Sequence, residues 1–186
     1  NNTLYRGNRT TKAHADGFDA FASPNLTPLL EAGIHIRRLH TPAAPQAQGP
    51  FTVHNITPQP VGVVTLYPGI PAEVVRNFLR QPVKALILRS YGVGNAPQNA
   101  EFLTELRQAS ERGIVVVNLT QCISGKVNMG GYATGNALEN AGVISGYDLT
   151  VEAALTKLHY LLSAGYDPQQ IRDLMQQNLR GELTAD

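Results

Sequence analysis

The chain has 186 residues, 42% hydrophobic and 16% charged, with a formal charge of +1. That suits one globular domain, or one domain plus part of another, and argues against a basic nucleic-acid-binding surface. No apolar run approaches the ~20 residues that span a bilayer, and one cysteine excludes an internal disulfide and fits a reducing compartment.

The sequence opens on Asn1 with no initiator Met and no signal-like segment. The dense polar cluster Asn8-Arg9-Thr10-Thr11-Lys12 follows at once. Termini usually fray, so this start reads as the back half of something larger. Residues 1–40 are expected to be a remnant of a larger N-terminal α/β domain. Thr3-Leu4-Tyr5 could end a strand, and Ser23-Pro24-Asn25 is turn-rich. Gly33 to Leu39 alternates apolar and polar residues like an exposed strand. Without a covering partner, residues 1–40 should be partly disordered or expose apolar surface, with Phe18, Phe21, Leu29 and Ile34 uncovered. Residues 41–60 read as a linker, rich in Pro, Ala and Gln at first, with a short edge strand over Phe51 to His54.

From residue 61 to 186 the pattern is regular. Val61–Leu66 is an apolar strand ended by Tyr67-Pro68-Gly69. Pro71 opens a helix carrying Val74, Val75, Phe78 and Leu79. Ala85–Leu88 is the second strand. Asn95, with Gln98 three residues on, reads as a helix cap for a segment carrying Phe102, Leu103, Leu106 and Ala109. Gly113 ends it, and Ile114–Val117 is the third strand. A short helix over Thr134–Asn140 precedes a short strand at Val143-Ile144. Asp148 or Thr150 caps a helix carrying Val151, Ala154, Leu155, Leu158 and Leu162. Asp167 to Gln170 caps the last helix, which runs through Leu174 and Met175. Strands apolar throughout, each followed by an amphipathic helix, predict a flavodoxin-like, doubly wound parallel sheet in an α/β domain.

Ligands of such sheets sit beyond the carboxyl ends of the strands. That rule selects Tyr67-Pro68-Gly69, Arg89-Ser90-Tyr91-Gly92 and Asn118-Leu119-Thr120-Gln121-Cys122. A guanidinium beside hydroxyls suits a carboxylate, so a small amino acid or organic acid is one reading. The other is structural: Arg89 pairs with an acid and Thr120 caps a turn. Gly92-Val93-Gly94 resembles a dinucleotide loop, but Pro97 occupies the third glycine position. The five histidines share no metal-ligand spacing, so no metal and no cofactor are expected. Cys122 has no recognisable histidine partner and reads as a ligand-lining residue. Lys12, beside two hydroxyls, is either an exposed loop lysine or a proton carrier for a hydroxyl nucleophile.

Several stretches together resemble type I L-asparaginase, the cytoplasmic bacterial form. They are Leu4-Tyr5-Arg6-Gly7-Asn8-Arg9-Thr10-Thr11-Lys12, Ser90-Tyr91-Gly92-Val93-Gly94-Asn95-Ala96-Pro97 and Asn118-Leu119-Thr120-Gln121-Cys122. To these are added Asn128-Met129-Gly130-Gly131-Tyr132-Ala133-Thr134-Gly135 and Asn178-Leu179-Arg180-Gly181-Glu182. The resemblance implies hydrolysis of L-asparagine to L-aspartate and ammonia by a threonine nucleophile, with Lys12 in the proton relay. No Thr-Gly-Gly-Thr and no Thr-Asp dyad occur in the chain. The nucleophile is thus expected upstream, and the chain alone is expected to be inactive. The resemblance further implies that Arg89, Thr120, Gln121 and Cys122 bind L-asparagine as an allosteric activator. Thr11 would relay between effector and active site, while Asn95 and Tyr132 would reach the active site of a neighbouring subunit in a homo-oligomer, a dimer or tetramer. A non-catalytic amino-acid-binding or dimerisation module is the alternative.

Overall fold

A computed structural model describes residues 2–130 and 133–184. The N-terminal segment holds short strands: β1 (Thr3–Leu4), β2 (Thr11–Lys12), β3 (Phe21–Ala22), β4 (Leu30–Ala32) and β5 (Ile36–Arg38). Strands β1, β4 and β5 form one antiparallel sheet, and β2 and β3 a second. Alternation predicted an exposed strand near residue 36, and all three residues of β5 are exposed. Phe18, Phe21 and Ile34 are uncovered as expected, whereas Leu29 is half-buried.

The rest is an α/β layer structure. Its elements are β6 (Val61–Thr65), α1 (Ala72–Phe78), β7 (Ala85–Ser90), α2 (Ala100–Glu111) and β8 (Val115–Thr120). They continue as α3 (Ala133–Asn140), β9 (Ile144–Ser145), α4 (Val151–Ser163) and α5 (Pro168–Met175). Strands β6, β7, β8 and β9 lie side by side in chain order, all parallel.

The strands are apolar throughout because both faces are covered. Side chains alternate across a strand. Leu86, Leu88 and Val116 enter a core with Val75, Phe102, Leu106 and Leu138. Ala85, Ile87, Val115 and Val117 enter a second core with Ala154, Leu158, Leu161 and Ile171. Helices α1, α2 and α3 therefore cover one face, and α4 and α5 the other. Each fully buried leucine contributes about 1.5–3 kcal/mol.

Two local details differ from the sequence reading, and one open alternative is decided. The cap of α2 is Asn99, whose side chain accepts from the Phe102 N–H. Asn95 lies further back, its backbone exchanging two hydrogen bonds with Tyr91. The alternative caps of α4 resolve to Thr150, which accepts from the Ala153 N–H, leaving Asp148 for another role. No strand forms at residues 51–54. Instead this stretch lies along α4: the His54 ring meets Tyr160 edge-on at 5.3 Å. Thr57 and Gln59 donate backbone N–H groups to Ser163 and His159.

Candidate functional site

Arg89 extends the Ala85–Ile87 series on β7. It therefore emerges on the α4 face, one residue before the strand ends. In the neighbouring register Ser90 faces Thr120, so β7 and β8 finish level, and the loop after β8 carries Gln121 and Cys122. These ends do not form the site alone. Thr11 and Lys12 on β2, Asn25, and the first turn of α4 close over them. Together they line a cavity of about 510 Å³. Six residues selected from the sequence thus share one cavity: Thr11, Lys12, Arg89, Thr120, Gln121 and Cys122. Asn95 is not among its lining residues and sits half-buried in the turn after β7. Tyr132 lies outside the described residues.

The polar groups divide into those that build the cavity and those left for a ligand. Gln121 builds it: its Nε2 donates to the carbonyls of Leu66 and Arg89, at 2.7 and 2.9 Å, bracing the ends of β6 and β7. The Thr120 hydroxyl donates to Gly92 O and accepts from the Cys122 N–H. The expected turn-capping role is therefore present. Arg89 differs. Among the described residues it makes no ion pair, and its buried Nε lacks a hydrogen-bond partner. The structural alternative, Arg89 held by an acid, does not occur among the described residues. An unpaired guanidinium at a cavity wall retains its full capacity for a carboxylate. Cys122 is exposed with a free thiol.

Lys12 is exposed, and its Nζ lies 5.0 Å from the centre of the Phe21 ring, its cross-strand partner. Such a contact is worth about 0.5–1 kcal/mol at an exposed site. Lys12 also lines a second, more open cleft with Tyr5, Gly7, Thr10, Phe21 and Glu152.

The sequence reading missed the residues that hold this arrangement together. Arg9 is only 2% exposed. Its guanidinium forks onto the Asp148 carboxylate at 3.0 and 2.7 Å and donates to Glu182 O and Asn25 O. Burial pushes the Asp148 carboxyl up, but the Arg9 fork and the Thr184 N–H hold it below the ordinary carboxylate range. Glu182 behaves alike: burial raises it, and Lys157, at 2.6 Å, with the Leu179 N–H brings it below that range. Burial lowers Lys157 in turn, against the opposing pull of Glu182. Asn25 accepts from the Gly125 N–H and donates to the Gly125 and Asp148 carbonyls, so it pins the loop after β8 to the approach to α4. Among the described residues no cluster suited to a metal ion is present, and no helix is long and apolar enough to cross a membrane.

The chain is similar to known proteins over its whole length. Residues 60–175 match the glutaminase/asparaginase C-terminal domain, and residues 1–44 the N-terminal asparaginase domain. The chain is 80% identical over 186 residues to L-asparaginase 1 of Escherichia coli (strain K12), covering 100% of this chain and 55% of that protein. It is 46% identical over 186 residues to the 60 kDa lysophospholipase of Homo sapiens, covering 98% of this chain and 32% of that protein. The crystal structure of L-asparaginase I from Vibrio cholerae O1 biovar eltor str. N16961 matches with a TM-score of 0.93 at 63% identity. That match covers 99% of this chain and 56% of the other. The chain therefore spans about half the length of these two asparaginases.

Proposed function

The chain belongs to the glutaminase/asparaginase family, and from that premise we propose that it is the C-terminal part of a type I L-asparaginase. The reaction is hydrolysis of L-asparagine to L-aspartate and ammonia. A threonine attacks the side-chain amide carbon, ammonia leaves, and water releases the acyl group. This chain contributes Lys12, whose ammonium takes part in proton transfer to and from a relay threonine. The nucleophile, the relay threonine and its aspartate lie upstream, since no Thr-Gly-Gly-Thr and no Thr-Asp occur here. The isolated chain is accordingly inactive. Its unpaired, exposed Cys122 accords with a cytoplasmic setting.

The second part of the proposal is regulatory. The cavity holding Arg89, Thr120 and Cys122 binds L-asparagine as an activator, and Arg89 receives its carboxylate. The observation that carries this reading is the unpaired Arg89 in a cavity shared with Thr11 and Lys12. Effector occupancy then acts next door to the proton carrier, and coupling of this kind is typically about 1–3 kcal/mol. Asn95 and Tyr132 are proposed to serve the active site of a neighbouring subunit in a dimer or tetramer.

Ammonia release tests the proposal. With the upstream threonines present, Lys12→Met lowers the rate about a hundredfold or more. An undiminished rate would remove Lys12 from the relay. Asparagine hydrolysis by this chain alone would contradict an upstream nucleophile. A second reading, a non-catalytic amino-acid-binding module, draws on the fact that the proposed effector residues all lie within this chain. It survives if asparagine binds but no ammonia is released even when the upstream elements are supplied.

A further inference from the structure

Glu152 stands in a position that the sequence did not single out. It lies in the first turn of α4 and lines the cavity that contains Arg89. It also lines the more open cleft, and so does Lys12. Glu152 and Lys12 are thus the two residues common to both spaces. One oxygen of Glu152 accepts the Thr11 hydroxyl at 2.7 Å. The other has no hydrogen-bond partner among the described residues, although an ionised carboxylate can accept about four hydrogen bonds.

The cavity is therefore lined by both an unpaired guanidinium and a half-used carboxylate. A free α-amino acid carries the complementary pair of charges, a carboxylate and an ammonium. We propose that Glu152 receives the α-ammonium of the amino acid whose carboxylate Arg89 holds. This rests on the effector reading given above and adds a recognition rule to it. The ligand must be zwitterionic at its α-carbon, and an acid of the same shape without the amine binds poorly. It also gives the cavity a physical route to Lys12. The ammonium neutralises a carboxylate that is hydrogen-bonded to Thr11, the residue before Lys12, and that faces the cleft of Lys12. Occupancy changes the field in that cleft without any large movement.

The test is calorimetric titration of the full chain with L-asparagine and with succinamic acid, which is asparagine without its α-amino group. The unsubstituted chain is expected to bind asparagine about tenfold more tightly or better, as suits a charge-assisted hydrogen bond. Glu152→Gln keeps an acceptor for Thr11 but loses the charge. It should bind the two ligands within about twofold of each other, with succinamic acid unaffected. Glu152→Asp should retain part of the preference, which excludes a mere folding defect, and thermal melts of each variant check the fold. If Glu152→Gln keeps the tenfold preference, Glu152 is not the ammonium site, while the effector reading stands. If neither ligand binds the unsubstituted chain, the effector reading fails and this inference with it.

Discussion

Residues 61–184 and residues 2–60 are held in place by different physics. The first region contains every buried apolar side chain among the described residues, from Val64 to Leu183. Before Val64 the one buried side chain is Arg9. The sheet region is stabilised by area removed from water, which is non-directional and tolerant of small shifts. The N-terminal region is attached by a forked guanidinium and a few directed hydrogen bonds. Arg6 and Asn8 also donate to the Gly181 and Arg180 carbonyls of the C-terminal tail. The cavity is built from both regions.

This contrast can be broken experimentally. The largest effect is expected from Arg9→Met. It leaves Asp148 buried without its partner, at a cost of about 3–5 kcal/mol. Hydrogen exchange should accelerate across residues 2–40 while the amides of β7 and β8 stay protected. Loss of protection everywhere at once would mean that the two regions are one cooperative unit. Leu86→Ala, at a site with 0% exposure, is the reciprocal change and should cost about 2–5 kcal/mol. It should lower the melting temperature of the sheet itself.

Acid should act on the N-terminal attachment first. Asp148 and Glu182 both lie below the ordinary carboxylate range when folded. A depressed pKa contributes stability that is present above the unfolded value and lost as pH falls through the folded value. Below ~pH 4 exchange of residues 2–40 should rise before that of the sheet. Simultaneous release would contradict this ordering. The smallest effect is expected from Thr150→Ala, which removes the α4 cap at about 1 kcal/mol. A thermal melt should register a modest drop, with the Arg9–Asp148 fork retained.

The two regions were also unequally legible in the sequence. Continuous apolar runs such as Ala85 to Leu88 announce a buried parallel strand, and the strand-end rule led to Arg89, Thr120 and Cys122. Those signals are local. The Arg9–Asp148 fork joins residues 139 positions apart, and no periodicity links them. In the sequence Asp148 reads only as a helix cap, because a short acid before an apolar helix is a common capping pattern. Glu152 carries no such signal either, since acids are favoured in the first turn of any helix. Asn95 and Asn99 offer the same chemistry to a helix start. The Tyr91–Asn95 backbone pairing, a tertiary feature of the turn after β7, decides between them.

The most direct test of the account is calorimetric titration of L-asparagine into three forms: the unsubstituted chain, Arg89→Gln and Arg9→Met. A cavity built from both regions predicts saturable binding to the first, loss with Arg89→Gln, and marked weakening with Arg9→Met although its sheet remains folded. Equal binding by all three would contradict it.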